Sequence, residues 1–401
     1  MRGIARALDS TSKPSALVGF PREVSGLAVI RSLQRHGIKV SAYDCDPGSA
    51  GLFVRGLDHR HVWPCPNGNE SQFVESLLRV GDTRHPPVLI DLEAKALEAI
   101  SRHQNAVQQR FRIILPPLDV LDIAQDKAKT AHFFTEHNLG VPITATLSSE
   151  QDMGHWQGGY PAVLKPRRGK GGRGQRVVHS DQEARESWRI LKPGPDEYLI
   201  QEWIPGPVQN LFTVGLLCAP GGEVRASFSG QRLGVVQTSK IPQGPSSIVR
   251  SVRLPDLLDV ARRFARLAGW SGFAELEFKK DERDGVYKIL EINPRMWAWI
   301  RLPIACGVDF PYLYYTMATT GDCPSVSSFT EDVIYLRSIL HLYTQAYRLR
   351  SGKAGVVQCL LDMIRPYGDI FRPKRRVIFE DLGLRWEYLR WFLFYFREVE
   401  L

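Results

Sequence analysis

The chain has 401 residues, 43% of them hydrophobic and 24% charged, with a formal net charge of +9; this is the composition of an ordinary globular protein, long enough for two or three domains with real cores. No run approaches the roughly 18 apolar residues of a membrane span, no apolar h-region follows the N-terminus, and the six cysteines (Cys45, Cys65, Cys218, Cys306, Cys323, Cys359) show no C-x-x-C spacing, so a cytoplasmic protein with reduced thiols is expected, without a disulfide framework or zinc site. The positive charge suits an anionic ligand or an acidic substrate, but Lys and Arg are spread along the chain with no nucleic-acid motif, so no nucleic-acid partner is expected.

Residues 1–14 read as a leader. Ser15–Phe20 is a predicted buried strand, Gly26–His36 an amphipathic helix stopped at Gly37, and Lys39–Asp44 a second strand. This β-loop-α-β start predicts a doubly wound sheet. The intervening loop, GFPREVSG, lacks G-x-G-x-x-G, so dinucleotide binding is not expected, and Asp44 reads as a turn residue ahead of Asp46-Pro47. Pro87–Asp91 and Leu92–His103 add a strand and a helix. A boundary is predicted at Pro116-Pro117. Beyond it Leu118–Asn138 reads as one helix, stopped by Gly140-Val141-Pro142. Lys127, beside Asp126 near its start, reads by itself as a surface lysine.

Lys165 emerges from the apolar run Ala162-Val163-Leu164, so its ammonium must snorkel or find an anion. Gly169, Gly171, Gly172 and Gly174 follow, with Lys170 and Arg173 among them. So little side-chain bulk lets backbone N–H groups approach phosphate oxygens, or makes a flexible hairpin turn. No G-K-[ST] opens a helix, so this is not a Walker A loop. Arg176–Val178 is a strand, and Tyr198–Ile204 another, ended by Pro205-Gly206. Arg232 lies between two strand-like runs.

Two further strands carry the most chemistry. AELEFKKD sets Glu275 and Glu277 at alternate positions. YKILEINPRMWAWIR does the same with Glu291, Asn293 and Arg295. Alternate side chains of a strand share one face. A carboxylate and an amide oxygen are hard ligands for Mg²⁺, and a guanidinium beside them can hold a phosphate or an oxyanion. Two carboxylates on neighbouring strands suit Mg–ATP; the alternative is two half-buried strands with polar outer faces. Trp297, Trp299 and Arg301 flank a substrate or join the core. In the tail, Arg372, Lys374, Arg375 and Arg376 form a basic cluster, and Leu384–Arg397 is a predicted helix with a broad aromatic face. That helix packs on the other domains or across a homodimer; peripheral membrane contact is the alternative.

The order of these signals resembles the ATP-grasp superfamily: a first lysine, a Val-Leu-Lys-Pro strand, a glycine-rich loop, Gln-Glu-Trp-Ile, then two carboxylates with Asn-Pro-Arg. It is nearest in flavour to the carboxylate–amine ligase branch, which shares a nucleotide fold with biotin carboxylase and D-alanine–D-alanine ligase, and it covers roughly residues 15–325. The resemblance implies an α/β ATP-grasp fold. Residues 1–117 would be a doubly wound pre-ATP-grasp domain, 118–325 an ATP-grasp domain of two subdomains, and 326–401 a basic, aromatic helical extension. It implies Lys127 as an α-phosphate ligand, and Lys165, Gly171 and Gly172 around the polyphosphate. It places the adenine edge on the strand end Gln201, Glu202, Trp203 and Ile204. Glu277, in the family pattern G-x-x-x-[VL]-E-F, joins Glu291 and Asn293 as ligands of Mg²⁺, as two ions and with Mn²⁺ as a substitute. Arg295 and Arg232 serve the acyl phosphate. Where relatives carry a ribose-binding acid this chain has Gln209 and Asn210, and Asp91-Leu92-Glu93 replaces their small-polar-acidic motif. The implied reaction is ATP-dependent joining of a small-molecule or peptide carboxylate to an amine, releasing ADP and phosphate. The rivals are a thiol, hydroxyl or bicarbonate acceptor, and a non-catalytic nucleotide-binding protein acting through its tail.

Overall fold

Ala-Leu-Val-Gly at Ala16–Gly19 is buried at every position, as a strand covered on both faces requires. It is β1 of a computed structural model that describes residues 13–22, 24–169, 172, 174–236, 244–368 and 376–379. The chain divides into two compact units, Met1–Ile114 with Pro311–Cys323, and Leu115–Phe310 with Pro324–Leu401.

The first unit is a parallel four-stranded sheet in the order β3-β2-β1-β4. Its elements are α1 (Val24–Arg35), β2 (Val40–Asp44), β3 (Leu57–Val62), α2 (Glu70–Val80), β4 (Val88–Asp91), α3 (Ala94–Arg102) and α4 (Gln104–Gln108). At the carboxyl ends of the strands the buried Tyr43 hydroxyl bonds the Asp91 carboxylate. A Cβ on Gly19 would lie 2.5 Å from both of those side chains, so only glycine fits there. Burial, opposed by that hydrogen bond, pushes the Asp91 carboxyl up to about 7. The segment 311–323 belongs to this unit, with the Tyr314 hydroxyl donating to the Leu89 carbonyl at 3.1 Å.

Cys45 and Cys65 are joined by a disulfide, with Cα atoms 5.1 Å apart. This corrects the expectation of six reduced thiols. The parallel pairing of Asp44 with Val62 brings together two residues that no short motif links. The other four cysteines are buried.

The second unit opens on α5 (Leu118–Gln125) and α6 (Lys127–Glu136), not on one helix over 118–138. Asp126 breaks the run with extended backbone, φ −115° and ψ 109°, and caps α6 by accepting from the Ala128 N–H. Lys127 is therefore the first residue of a helix. A four-stranded sheet follows in the order β5-β8-β6-β7, from β5 (Thr144–Leu147), β6 (Ala162–Pro166), β7 (Arg176–Val178) and β8 (Tyr198–Glu202), with α7 at Asp181–Leu191.

The seven-stranded sheet runs β13-β12-β9-β10-β11-β14-β15. Its strands are β9 (Leu211–Ala219), β10 (Glu223–Val235), β11 (Ser246–Ser251), β12 (Gly272–Lys280), β13 (Tyr287–Asn293), β14 (Val333–Leu336) and β15 (Arg376–Phe379). Arg232 lies inside the continuous strand β10, not between two strands. Helix α8 (Pro255–Leu267) buries Leu257, Leu258, Ala261, Phe264 and Ala265 in one cluster with Trp270, Ala274, Leu276 and Phe278 of the sheet. Ala274, Leu276 and Phe278 thus face the core, and Glu275 and Glu277 face the other way. Beyond residue 325 come α11 (Ser338–Arg350) and α12 (Val356–Gly368), after α9 (Arg301–Ala305) and α10 (Phe310–Thr320), and also β14 and β15. The predicted helix Leu384–Arg397 and residues 372, 374 and 375 lie outside the described residues. Among the described residues no helix is long and apolar enough to cross a membrane.

Candidate active site

A bulge sets the site. In the antiparallel β12–β13 pair, Glu277 faces Glu291 and Glu275 faces Asn293, but Phe278 pairs with Ile289, leaving Leu290 as an extra residue. Ile289 and Ile292, three apart, therefore both reach the core, while Glu291 and Asn293 turn to the face of Glu277. Directly opposed side chains on such a pair have Cβ atoms about 4.5–5.5 Å apart, so two carboxylates stand together. Arg295 lies just past the end of β13 and donates to the Met296 carbonyl at 3.0 Å.

Charges of both signs converge here. Arg232 reaches from β10 across β9 to Glu277, 2.5 Å away. Burial opposes its charge, but Glu277 and Glu275 outweigh that and raise its pKa. Burial first, then Glu277, pushes the Glu275 carboxyl up to about 8 against the pull of Arg232 and Arg295. Asn293 donates its amide N–H to Glu275 at 3.2 Å. Burial also raises the Glu291 carboxyl; Lys127 pulls it back, and Glu277 adds to the rise. Carboxylates this close, with Glu275 buried and Glu277 and Glu291 half-buried, favour a cation between them.

Lys165 and Lys127 face the carboxylates. Both are buried, at 5% and 6% exposure. Burial, with Lys127 adding, lowers the Lys165 ammonium to about 7, against Glu291 and Glu277. Its Nζ donates to Gln201 Oε1 at 2.7 Å. Lys127 Nζ donates to the Gly169 carbonyl at 2.8 Å, tying α6 to the start of the glycine loop. Gly169, Gly172 and Gly174 all have positive φ, the region glycine tolerates. Gly171 lies outside the described residues.

At the end of β8, Glu202 is held by Arg283 and by Lys288, 3.7 Å away, both of which also pair with the buried Asp281. Lys279 lies 5.0 Å over the ring of Trp203, and Ile204 is buried. This cluster between β8 and the β12–β13 turn was not foreseen. Its one signal is the density of charge in KKDERDG, which reads equally well as a solvated turn. Gln209 and Asn210 stand after the strand end, and Asn210 bonds Glu282 of that turn at 2.9 Å.

Trp297 and Trp299 are core residues, 1% and 2% exposed. The Trp297 ring lies on β9 where Gly215 leaves room, and an added Cβ would meet it at 1.9 Å. Gly215→Ala is expected to cost about 1–3 kcal/mol through overpacking. The drop should appear in thermal unfolding, together with a change in tryptophan fluorescence.

The donor set fits Mg²⁺. Glu277, Glu291 and the Asn293 amide offer hard oxygens. Among the described residues no group of three or more His, Cys, Asp or Glu is placed to hold a metal by itself, so phosphate or water oxygens would complete the octahedron, as is usual for this ion.

Residues 225–338 match the family model described as "ATP-grasp in the biosynthetic pathway with Ter operon". Acetyl-CoA carboxylase 2 of Oryza sativa subsp. japonica is 32% identical over 169 residues, 38% of this chain and 7% of that protein. D-alanine–D-alanine ligase of Pseudomonas entomophila is 28% identical over 206 residues, 48% of this chain and 62% of that protein. The matches thus span less than two thirds of these relatives. Among solved structures, biotin carboxylase of Campylobacter jejuni superposes with a TM-score of 0.65 at 16% identity, over 80% of this chain and 74% of its own. The fold is the one seen in that biotin carboxylase, and residues 225–338 match an ATP-grasp family model.

Proposed function

We propose that this protein is an ATP-dependent carboxylate–amine ligase. The observation that carries the reading is the Glu277–Glu291 pair, facing each other across β12 and β13 with two buried lysines opposite. An ATP triphosphate with Mg²⁺ satisfies both sets of charge at once.

In this reading a substrate carboxylate oxygen attacks the γ-phosphorus of ATP. The bond to the β–γ bridging oxygen breaks, and ADP leaves. The amine then attacks the carbonyl carbon of the acyl phosphate, phosphate leaves, and the amide forms with loss of a proton. Lys127 and Lys165 hold the polyphosphate, with Gly171 and Gly172 as further phosphate-binding residues. The strand end Gln201–Ile204 takes the base. Glu277, Glu291 and Asn293 would hold Mg²⁺, and the bound ion would supply neutralisation of phosphate charge. Arg295 stabilises the acyl phosphate. Arg232, already paired with Glu277, fixes that carboxylate and adds positive charge behind it. Positioning and charge neutralisation are the protein's whole contribution.

The sequence similarity to acetyl-CoA carboxylase 2 supports a second reading, in which the same ATP chemistry serves a different acceptor. Incubation with Mg–ATP and pools of carboxylates and amines separates the two. The first reading expects ADP release that needs one member of each pool, and a new amide mass. ADP release that needs a carboxylate but no amine would favour the second.

A further inference from the structure

Lys165 is held by a hydrogen-bonded row that crosses three strands. Thr144 of β5 lies directly opposite Gln201 of β8, and Gln201 lies opposite Val163 of β6, two residues before Lys165. Thr144 Oγ1 donates to the Pro142 carbonyl at 2.8 Å. Gln201 Nε2 donates to Thr144 Oγ1 at 2.9 Å, and Gln201 Oε1 accepts from Lys165 Nζ at 2.7 Å. Gln201 is 5% exposed and Thr144 half-buried. A flipped amide would set its NH₂ against the Lys165 ammonium and its oxygen against a hydroxyl whose proton is already committed to Pro142.

The acceptor chosen for the ammonium is neutral. A carboxylate there would pair with Lys165 and cancel its charge toward a ligand. An apolar side chain would leave a buried donor unpaired. A glutamine does neither: it fixes the ammonium's direction and leaves the charge and two of its three N–H donors available. We infer that Gln201, locked by Thr144, is a positioning residue that aims Lys165 at the nucleotide's phosphates. This rests on the nucleotide-binding reading of Lys165 and gives Gln201 a task distinct from contact with the base.

The test is a double-mutant cycle on the full chain. Dissociation constants for a non-hydrolysable Mg–ATP analogue are measured by calorimetry for Gln201→Leu, Gln201→Glu and Thr144→Val. Each is made in the native background and with Lys165→Met, and thermal unfolding checks that each variant is folded. With Lys165 present, both Gln201 variants should weaken binding about tenfold, and Thr144→Val about threefold. In Lys165→Met these effects should shrink to less than about twofold. Native affinity should fall between pH 7 and 9 as the Lys165 ammonium loses its proton, and Gln201→Glu should flatten that fall, because its carboxylate keeps the ammonium charged where Lys127, Glu277 and Glu291 do not. Equal losses in both backgrounds would overturn the inference and leave Gln201 a structural or base contact. Should Gln201→Leu fail to fold, Thr144→Val decides by the same coupling. If Lys165→Met binds the analogue like the native chain, the phosphate reading of the lysine fails, and the inference with it.

Discussion

Glu291→Gln should fold and melt like the native chain yet form ADP at least about 100-fold more slowly. The substitution keeps the volume of the side chain and one of its two oxygens. It removes one of two anionic oxygen donors, and with it much of the attraction for a divalent ion. Losses of two or more orders of magnitude are typical when a group that stabilises transferring charge is removed. Titration with Mn²⁺ followed by electron paramagnetic resonance reads the same change without turnover. Weaker Mn²⁺ binding with an unchanged melting temperature supports Glu291 as a metal ligand. Near-native ADP formation would remove it from that role. Because Glu277 already pairs with Arg232 at 2.5 Å, Glu291 is the carboxylate with more of its charge left for a cation.

Lys165→Met should raise the ATP dissociation constant about tenfold or more, since a charge-assisted contact to phosphate contributes roughly 1.5–3 kcal/mol. The pH dependence is a sharper mark. Burial and Lys127 hold the free ammonium at about 7, below its usual range. The triphosphate favours the charged form, so binding above pH 7 takes up a proton. Affinity should therefore fall as pH rises from about 7 toward 9, by at most about tenfold per unit, and calorimetry in buffers of different ionisation heat should register the proton. Lys165→Met should show neither effect. A native chain whose affinity is flat across that range would mean that the lysine head group does not meet phosphate.

Much of this architecture was legible in residue order. Apolar runs such as Ala16–Gly19 and Ala162–Leu164 mark buried strands, and the alternation around Glu277 and Glu291 marks a polar face opposite the core. Three features were hidden because the groups that create them lie far along the chain. Asp126 looks like any polar residue inside a helical pattern; it becomes a break and a cap because its carboxylate meets Arg167 of a distant strand end at 2.6 Å. Leu290 looks like one more apolar position, and only the pairing of Phe278 with Ile289 shows it as the bulge that turns Glu291 outward. Strand β3, Leu-Asp-His-Arg-His-Val, is mostly exposed and offers almost no apolar alternation to read. Its parallel pairing with β2 is also what brings Cys65 to Cys45. Thr144 escaped notice because a lone threonine on a short strand carries no motif, and only the register of β5 on β8 puts it behind Gln201.

The central claim is that the chain uses ATP to activate a carboxylate as an acyl phosphate, and hydroxylamine trapping tests it most directly. Native protein, Mg–ATP and a pool of carboxylates are incubated with hydroxylamine, which captures an acyl phosphate as a hydroxamate. Hydroxamate should accumulate in step with ADP and phosphate, require both Mg²⁺ and a carboxylate, and be absent with Glu291→Gln. Cleavage of ATP to AMP and pyrophosphate, or ATP that binds and is never cleaved with any carboxylate, would contradict it.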